Sequence, residues 1–367
     1  MKKWISQLAL CVAFMGTYQG VQAQAKLEPV FKDNTYQLTG VAVSKAGRIF
    51  VNYPYWSDTY KYALVEVLKD GSVKPYPDAS WNSWKVGQDP TNKWVCVQSE
   101  FVDAKDRLWV IDPASPKQKG VYRDAHKLVC FDLATNKVIR QYSFKNVVGP
   151  DSYLNDIRVD TQREVAYITE SKNGGIAIVD INSGKITMKL QGDKSVKSDP
   201  TFKFIIDGRE LRDDKGPVRF NSDGLALTPD GDMLYYKSLT DDRLYRIATA
   251  ALRDAAMSDA DLKAKVEDLG HYTTTDGMII DEAGNLYLGD ILNYDLYSLQ
   301  TSGNPKPPLK RTNLVKDTVL LQWPDSYAIH DGYLYVTTSQ IDHMAKNNGG
   351  KDTRKRPYEV MRVKIMK

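Results

Sequence analysis

A short apolar run, a polar turn and a second apolar or aromatic run recur along most of this chain. Six segments share the pattern: "TGVAVSKAGRIFVNY", "QSEFVDAKDRLWVID", "NDIRVDTQREVAYITES", "DGLALTPDGDMLYYKS", "DGMIIDEAGNLYLGD" and "DSYAIHDGYLYVTTS". They begin at Thr39, Gln98, Asn155, Asp223, Asp276 and Asp325, at intervals of 59, 57, 68, 53 and 49 residues. Runs of this length with turn residues between them predict paired antiparallel strands. Further β-rich runs follow within the units. "YALVEVLKDGSVKPY" is one, and "HKLVCFDLATNKVIRQY" and "GGIAIVDINSGKITMKL" read as hairpins around "ATNK" and "NSGK". A unit of about 57 residues holding two such pairs has the size of a four-stranded propeller blade with its loops. The predicted fold is all-β: one six-bladed β-propeller over residues 24–367, with four-stranded antiparallel blades around a central channel.

Three places depart from the pattern. "TAALRDAAMSDADLKAKVEDLG" carries helical periodicity and joins the fourth and fifth units. The last unit supplies three strands, ending in "RPYEVMRVKIMK", so the N-terminal "KLEPVFKD" is expected as the fourth, latching the ring and hiding its last sheet edge. The longest interval contains "LQGDKSVKSDPTFKFIIDGRELRDDKGPVRFNSDG", an insertion that enters the channel mouth as a lid or as a supporting flap.

The first residues read differently from the rest. Lys2 and Lys3 precede an apolar stretch from Leu8 to Met15 and then small residues up to Ala23. The apolar part is far shorter than the ~20 residues a bilayer requires. Residues 1–23 are therefore expected to be a cleaved signal peptide, and the product to be periplasmic or secreted, with no membrane span. Without that segment 48 basic and 46 acidic residues remain, a net charge of +2, which gives no reason to expect a nucleic-acid partner. Oligomeric state is not legible. Cys96 and Cys130 then face an oxidising compartment, either as one disulfide or as two buried thiols.

In a propeller the innermost strand of each blade lines the channel, so the six unit starts converge on one face. All six are polar and three are carboxylates on consecutive blades. The neighbouring strand must end on the same face, which adds Asp112, Glu170, Lys237, Asp290 and Ser339. Asp-Gly and Asn-Asp pairs are also common turn formers that cap their own backbone. Three carboxylates focused into a partly dry channel repel one another, and one takes up a proton unless a cation sits among them.

Two cations satisfy the ring. Calcium, or another divalent ion, would draw on Asn155, Asp223 and Asp276, with Asp325, water or substrate completing the set. An organic ammonium would pair with the carboxylates and stack on rings such as Tyr53, Tyr55, Trp56 and Phe220. A small-molecule ligand in the channel would be contacted by Gln98, Asn155, Arg219, Phe220, Asp290, Asp325 and His343. His271 and His343 are positioned to shuttle protons, whereas His126 and His330 read as structural. If a cation polarises a carbonyl and activates water, Asp223 and Asp276 are the candidate catalytic bases of a lactone or ester hydrolase. No nucleophile elbow, P-loop, zinc-protease or dinucleotide fingerprint is present.

With "GVAVSKAGRIFVNYP", "VQSEFVDAKDRLWVID", "YLNDIRVDTQREVAYITES", "DPTFKFIIDGRE", "SDGLALTPDGDMLYYKSLTDDRLYRIATAAL" and "LYVTTSQIDHM" in order, the chain closely resembles the yellow / major royal jelly protein family, in a bacterial branch. The resemblance implies a six-bladed propeller with one central site, in a family of small-molecule binders and proteins with proposed isomerase roles on indole or quinone-like compounds. A more distant likeness is to the gluconolactonase / senescence-marker lactonases, whose channel holds a divalent cation. "LNDIRVD", "SDGLALTPDG" and "DGMIID" resemble three of their metal-ligand segments and place Asn155, Asp223 and Asp276 at ligand positions. Their fourth ligand is a Glu in the first blade, where this chain has Thr39, and Asp325 on the adjoining sixth blade is the candidate replacement.

Overall fold

A computed structural model describes residues 25–365, so the expected signal peptide lies outside the described residues. Six four-stranded antiparallel sheets form a ring of blades, as the repeat predicts. Their innermost strands are Val41–Val43, Ser99–Val102, Leu154–Asp160, Ser222–Leu227, Met278–Ile280 and Pro324–His330. The sixth blade closes with the N-terminal strand. Leu27–Asp33 runs antiparallel to Tyr358–Lys364, pairing Leu27 with Val363 and Asp33 with Tyr358. Pro29 is tolerated there because an edge strand has no outer neighbour to receive its missing N–H.

The core lies between blades rather than at one centre. Trp109, Ile111, Ile157, Val159 and Ile168 fill the space between the second and third blades. Tyr167, Ile176, Leu225 and Tyr236 do the same between the third and fourth. Strands covered on both faces carry near-continuous apolar runs for this reason, as in "VAYITE" and "GIAIVD".

Three innermost strands are interrupted at the candidate positions. The ladder shifts register between Leu154 and Ile157, between Ser222 and Leu225, and between Pro324 and Tyr327. These bulges contain Asn155, Asp223 and Asp325, and a bulge re-aims side chains that regular pairing would send into the blade. Threonine hydroxyls take up the freed backbone groups. Thr169 Oγ1 accepts from the Asp156 N–H at 3.0 Å and donates to the Asp223 carbonyl at 2.6 Å, tying the third blade to the fourth. Thr337 Oγ1 accepts from the Ser326 N–H at 3.0 Å and donates to the Thr39 carbonyl, tying the sixth blade to the first.

The glycines of the two Asp-Gly pairs follow from the same crowding. A Cβ on Gly224 would stand 2.2 Å from the Asp276 carbonyl oxygen, and one on Gly277 2.6 Å from the Asp325 carbonyl oxygen. The inner strands of the fourth, fifth and sixth blades approach too closely for any side chain there.

One expectation needs correction. "TAALRDAAMSDADLKAKVEDLG" is not one helix: it forms Thr249–Arg253 and Asp259–Ala264, and its tail Glu267–His271 is the outer strand of the fourth blade. Asp254 leaves the helical region, and Ser258 recaps a second turn through its hydroxyl. The long insertion carries regular structure of its own. It folds into two small hairpins, Ile205–Ile206 with Arg209–Glu210 and Arg212–Asp213 with Gly216–Pro217. Phe204, Ile206, Leu211 and Val218 are buried in a cluster with Leu321 and Trp323. Cys96 and Cys130 are both buried free thiols.

Candidate functional site

The innermost strands bring Gln98, Asn155, Asp223, Asp276 and Asp325 to one small cavity at the channel mouth. Phe220 from the insertion, Trp323 beside the sixth blade and Trp56 from the first-blade loop complete its walls, and Lys346 and Asn347 reach it from the loop between Thr338 and Tyr358. Arg209 braces the cover, donating to the backbone carbonyl of Asn347 at 2.7 Å. The cavity volume is about 30 Å³. That is room for an ion or on the order of two waters, since one water needs roughly 10–15 Å³ by the same measure.

Each polar group in the wall has an identifiable load. Trp56 Nε1 donates to the Tyr153 hydroxyl at 2.9 Å, which donates to Gln98 Oε1 at 2.6 Å. Gln98 Nε2 donates to Asn155 Oδ1 at 3.0 Å, and Asn155 Nδ2 donates to Ser171 Oγ at 2.9 Å. This relay fixes the Asn155 amide and occupies part of the oxygen expected to ligate a cation. Trp323 Nε1 donates to Asp276 Oδ2 at 2.6 Å. Asp223 Oδ1 is buried and has no partner. A buried carboxylate oxygen without a hydrogen bond is costly, by roughly 1–3 kcal/mol or more when charged.

The electrostatics follow from that crowding. Burial, then the neighbouring Asp276 carboxylate, pushes the Asp223 carboxyl well above the ordinary range. Burial likewise raises Asp276, to about 6, against the opposing pull of the Trp323 hydrogen bond. Asp325 is pushed well up by burial and by Asp276. Asp223 and Asp276 act on each other through their charges and titrate as a pair.

Two further carboxylates join the ring, and the repeat did not point to them. Glu100 is buried with neither oxygen hydrogen-bonded, and its carboxylate lies against Gly40, where a Cβ would stand 2.7 Å from Glu100 Oε2. A second-blade side chain thus reaches the first blade, whose own strand start is the neutral Thr39. Asp156, beside Asn155, acts electrostatically on Asp223, Asp276, Asp325 and Glu100. The available signal was a carboxylate within two residues of a strand start. Opposite charge comes from Lys237, fully buried, whose Nζ donates to the carbonyls of Ser238 at 2.6 Å and Asp241 at 2.8 Å. Burial lowers its pKa to about 8.

Other expected site residues lie away from the cavity. Asp290 spends its oxygens on the N–H groups of Leu292 and Asn293 and on Asn293 Nδ2. Asp112 and Glu170 close their loops similarly, Asp112 on Val95, Cys96 and Ala114, Glu170 on Tyr153, Lys172 and Asn173. Arg219 is turned into the insertion, donating to the carbonyls of Phe202 and Pro200. His343 Nε2 bonds Gln322 at 3.0 Å and its Nδ1 bonds Thr353 at 2.9 Å. His271 pairs with Asp242 on the outer strand of the fourth blade. Tyr53 bonds Asp33 of the N-terminal strand, and Tyr55 stacks on Tyr60. Among the described residues no three His, Cys, Asp or Glu side chains are arranged, as they stand, to hold a metal ion. No helix there is long and apolar enough to cross a membrane.

Comparison with known proteins places these features. Major royal jelly protein 7 of Apis mellifera is 25% identical over 236 residues, covering 60% of this chain and 49% of its own. The chain thus spans about half the length of the curated relatives it matches. Among solved structures, a gluconolactonase from Xanthomonas campestris aligns with a TM-score of 0.53 at 13% identity, over 93% of this chain and 90% of that one. Regucalcin from Agrobacterium tumefaciens, a calcium-binding protein, aligns with a TM-score of 0.50 at 15% identity, over 92% and 96%. At such identities the structural likeness speaks for the propeller fold alone. Residues 95–366 match the major royal jelly protein family, and the chain belongs to that family.

Proposed function

We propose that this is an exported propeller that binds a divalent cation at the channel mouth and presents it to a small molecule. The observation that carries the reading is Asp223 Oδ1: a buried, unpartnered carboxylate oxygen beside Asp276 and Asp325. The donor set suits a hard ion such as calcium, which takes ~6–8 oxygen ligands. Asp223, Asp276 and Asp325 would hold it, with the remaining lone pair of Asn155 Oδ1 and water. Glu100 and Asp156 do not line the cavity and would add negative potential rather than first contacts. The bound ion would supply charge stabilisation for an oxygen of the small molecule.

The cavity volume of about 30 Å³ supports a cation over an organic ammonium in this conformation, because no ring system enters so small a space. A larger ligand requires the insertion and the loop after Thr338 to move apart. Calorimetric titration of calcium into chelator-treated protein, with Asp223→Asn as control, tests the reading. One ion bound by the parent and none by the variant is the expected result; equal heats from both would refute it.

A hydrolase reading has one observation in its favour. Asp276, raised to about 6, is poised as a base near neutral pH, and Trp323 orients it. The solved gluconolactonase shares the fold, which alone does not transfer its reaction. Metal-dependent turnover of simple lactones that disappears in Asp276→Asn would establish it.

A further inference from the structure

The opposite end of the channel is wider than the mouth. A cavity of about 530 Å³ opens there between the turns that follow the innermost strands. This lies within the roughly 300–1,000 Å³ of typical small-molecule sites. Its walls mix apolar and polar surface, with Val41, Phe101, Ile279, Tyr327 and Ala328 forming the apolar part. Three charged residues in it are almost wholly buried, Asp103, Asp160 and Arg158; the one cation among them is Arg158, on the innermost strand of the third blade, 7% exposed.

The Arg158 guanidinium is held in place from three sides. One Nη donates to the Ile157 carbonyl at 2.5 Å, the other donates to the Met278 carbonyl of the fifth blade, and the plane lies over the Phe101 ring at 5.0 Å. Its Nε is buried and has no partner. An arginine fixed by stacking and by two carbonyls, with a donor left over, is preorganised for a planar anion.

The acidic groups around this cavity do not supply that anion. Asp103 is spent on Arg107, Trp109 and two backbone N–H groups. Asp160 is spent on Arg163 and on the N–H groups of Gln162 and Arg163. Asp281 is spent on Asn285, Tyr287 and Ala283. Lys45 and Glu282, of opposite sign, are exposed at the rim, where His330 is half-buried. Asp156 is the counter-charge that acts on Arg158, and its own pKa is raised by burial.

From these contacts we infer a second ligand site at this end, which takes an apolar or aromatic carboxylate with its acid group on Arg158 and its hydrocarbon part against Phe101, Ile279 and Tyr327. The site is independent of the cation reading, since it shares no wall residue with the mouth cavity.

The test compares 2-naphthoate with 2-naphthalenemethanol, an uncharged molecule with the same rings, by calorimetry on the full chain. The carboxylate is expected to bind at least about tenfold more tightly, the scale of one charge-assisted hydrogen bond. Arg158→Met should reduce the carboxylate to the affinity of the alcohol, and Asp223→Asn should change neither. Equal affinities in the parent protein, no binding of either probe, or an unchanged carboxylate affinity in Arg158→Met overturns the inference. If Arg158→Met does not fold, a crystal structure of the naphthoate complex decides: the ring in this cavity supports the site, and the ring at the channel mouth or elsewhere overturns it.

Discussion

Trp323 holds Asp276 by a single hydrogen bond of 2.6 Å from its indole nitrogen, and the same ring packs against Phe204 of the insertion at 5.6 Å between centroids. The cover over the channel and the carboxylate beneath it therefore share one side chain. Trp323 is 1% exposed, so its indole works as a rigid spacer rather than a mobile gate.

Trp323→Phe should separate the two roles. The phenyl ring retains much of the contact with Phe204, while Asp276 loses a hydrogen bond that stabilises its charged form. The Asp276 pKa should rise above about 6, and the pH at which calcium binding reaches half its maximum should move upward. A pH series of calcium titrations on the variant checks this; a midpoint that stays fixed would mean the indole serves packing alone. The stability cost should be about 1–3 kcal/mol.

Stability without a cation should fall as pH rises. Asp276 has a folded pKa of about 6, above the ordinary aspartate value of 3.8, so the folded protein binds the extra proton more tightly than the unfolded chain does. The associated stability is fully present below the unfolded pKa and is lost as pH climbs through about 6. Asp223 and Asp325 are raised further and extend the loss to higher pH. Chelator-treated protein should therefore melt several degrees higher at about pH 5 than at about pH 7.5. Saturating calcium should flatten the difference, and a Tm that rises over the same interval would contradict the ionisation described for the ring.

The blades were legible because a strand pair buried on both faces has to repeat its apolar runs, and six copies leave the period visible. The latch was legible for a related reason: six units contained one strand too few at the end. The bulges at Asn155, Asp223 and Asp325 were not, because a register shift depends on which residue opposes which across two strands. Asp156 escaped attention because alternation alone sends the residue next to a strand start into the blade, and Glu100 because it stands inside its strand, two residues past the unit start, instead of at the start. Asp290 misled for the opposite reason. Its position in the repeat matches the mouth, yet its oxygens close an ordinary turn.

Gly224→Ala tests how closely the inner strands approach. Alanine suits most backbone conformations and usually stabilises an exposed extended or helical position, but here its methyl would meet the Asp276 carbonyl at 2.2 Å. The fourth and fifth blades must separate, at a cost of about 1–3 kcal/mol or more. Because that carbonyl belongs to a ring carboxylate residue, calcium affinity should fall together with the denaturation midpoint. A variant with unchanged midpoint and affinity would show that the blades slide freely past one another.

Ring closure gives the last prediction. Leu27 and Phe31 of the N-terminal strand are buried, at 6% and 5% exposure, and the strand supplies the hydrogen-bonding partner for Tyr358–Lys364. Removing residues 25–33 exposes those side chains' contacts, worth about 1.5–3 kcal/mol each, and leaves a bare sheet edge. The Thr337 bond to the Thr39 carbonyl still joins the sixth blade to the first at the channel, so the ring should loosen at its rim before it opens at its centre. The truncated protein is expected to unfold at lower urea and to associate through the exposed edge, seen as a concentration-dependent shift in light scattering. Adding Thr337→Val to the truncation should lower the urea midpoint further, leaving the Val41 N–H bond to Ser326 Oγ, the Gln37 bond to the Ser339 carbonyl and the apolar packing of Val41 and Val51 against Ala328 and Tyr335 to join the two blades. A truncated protein that stays monomeric with an unchanged urea midpoint would show that the inter-blade core alone keeps the ring shut.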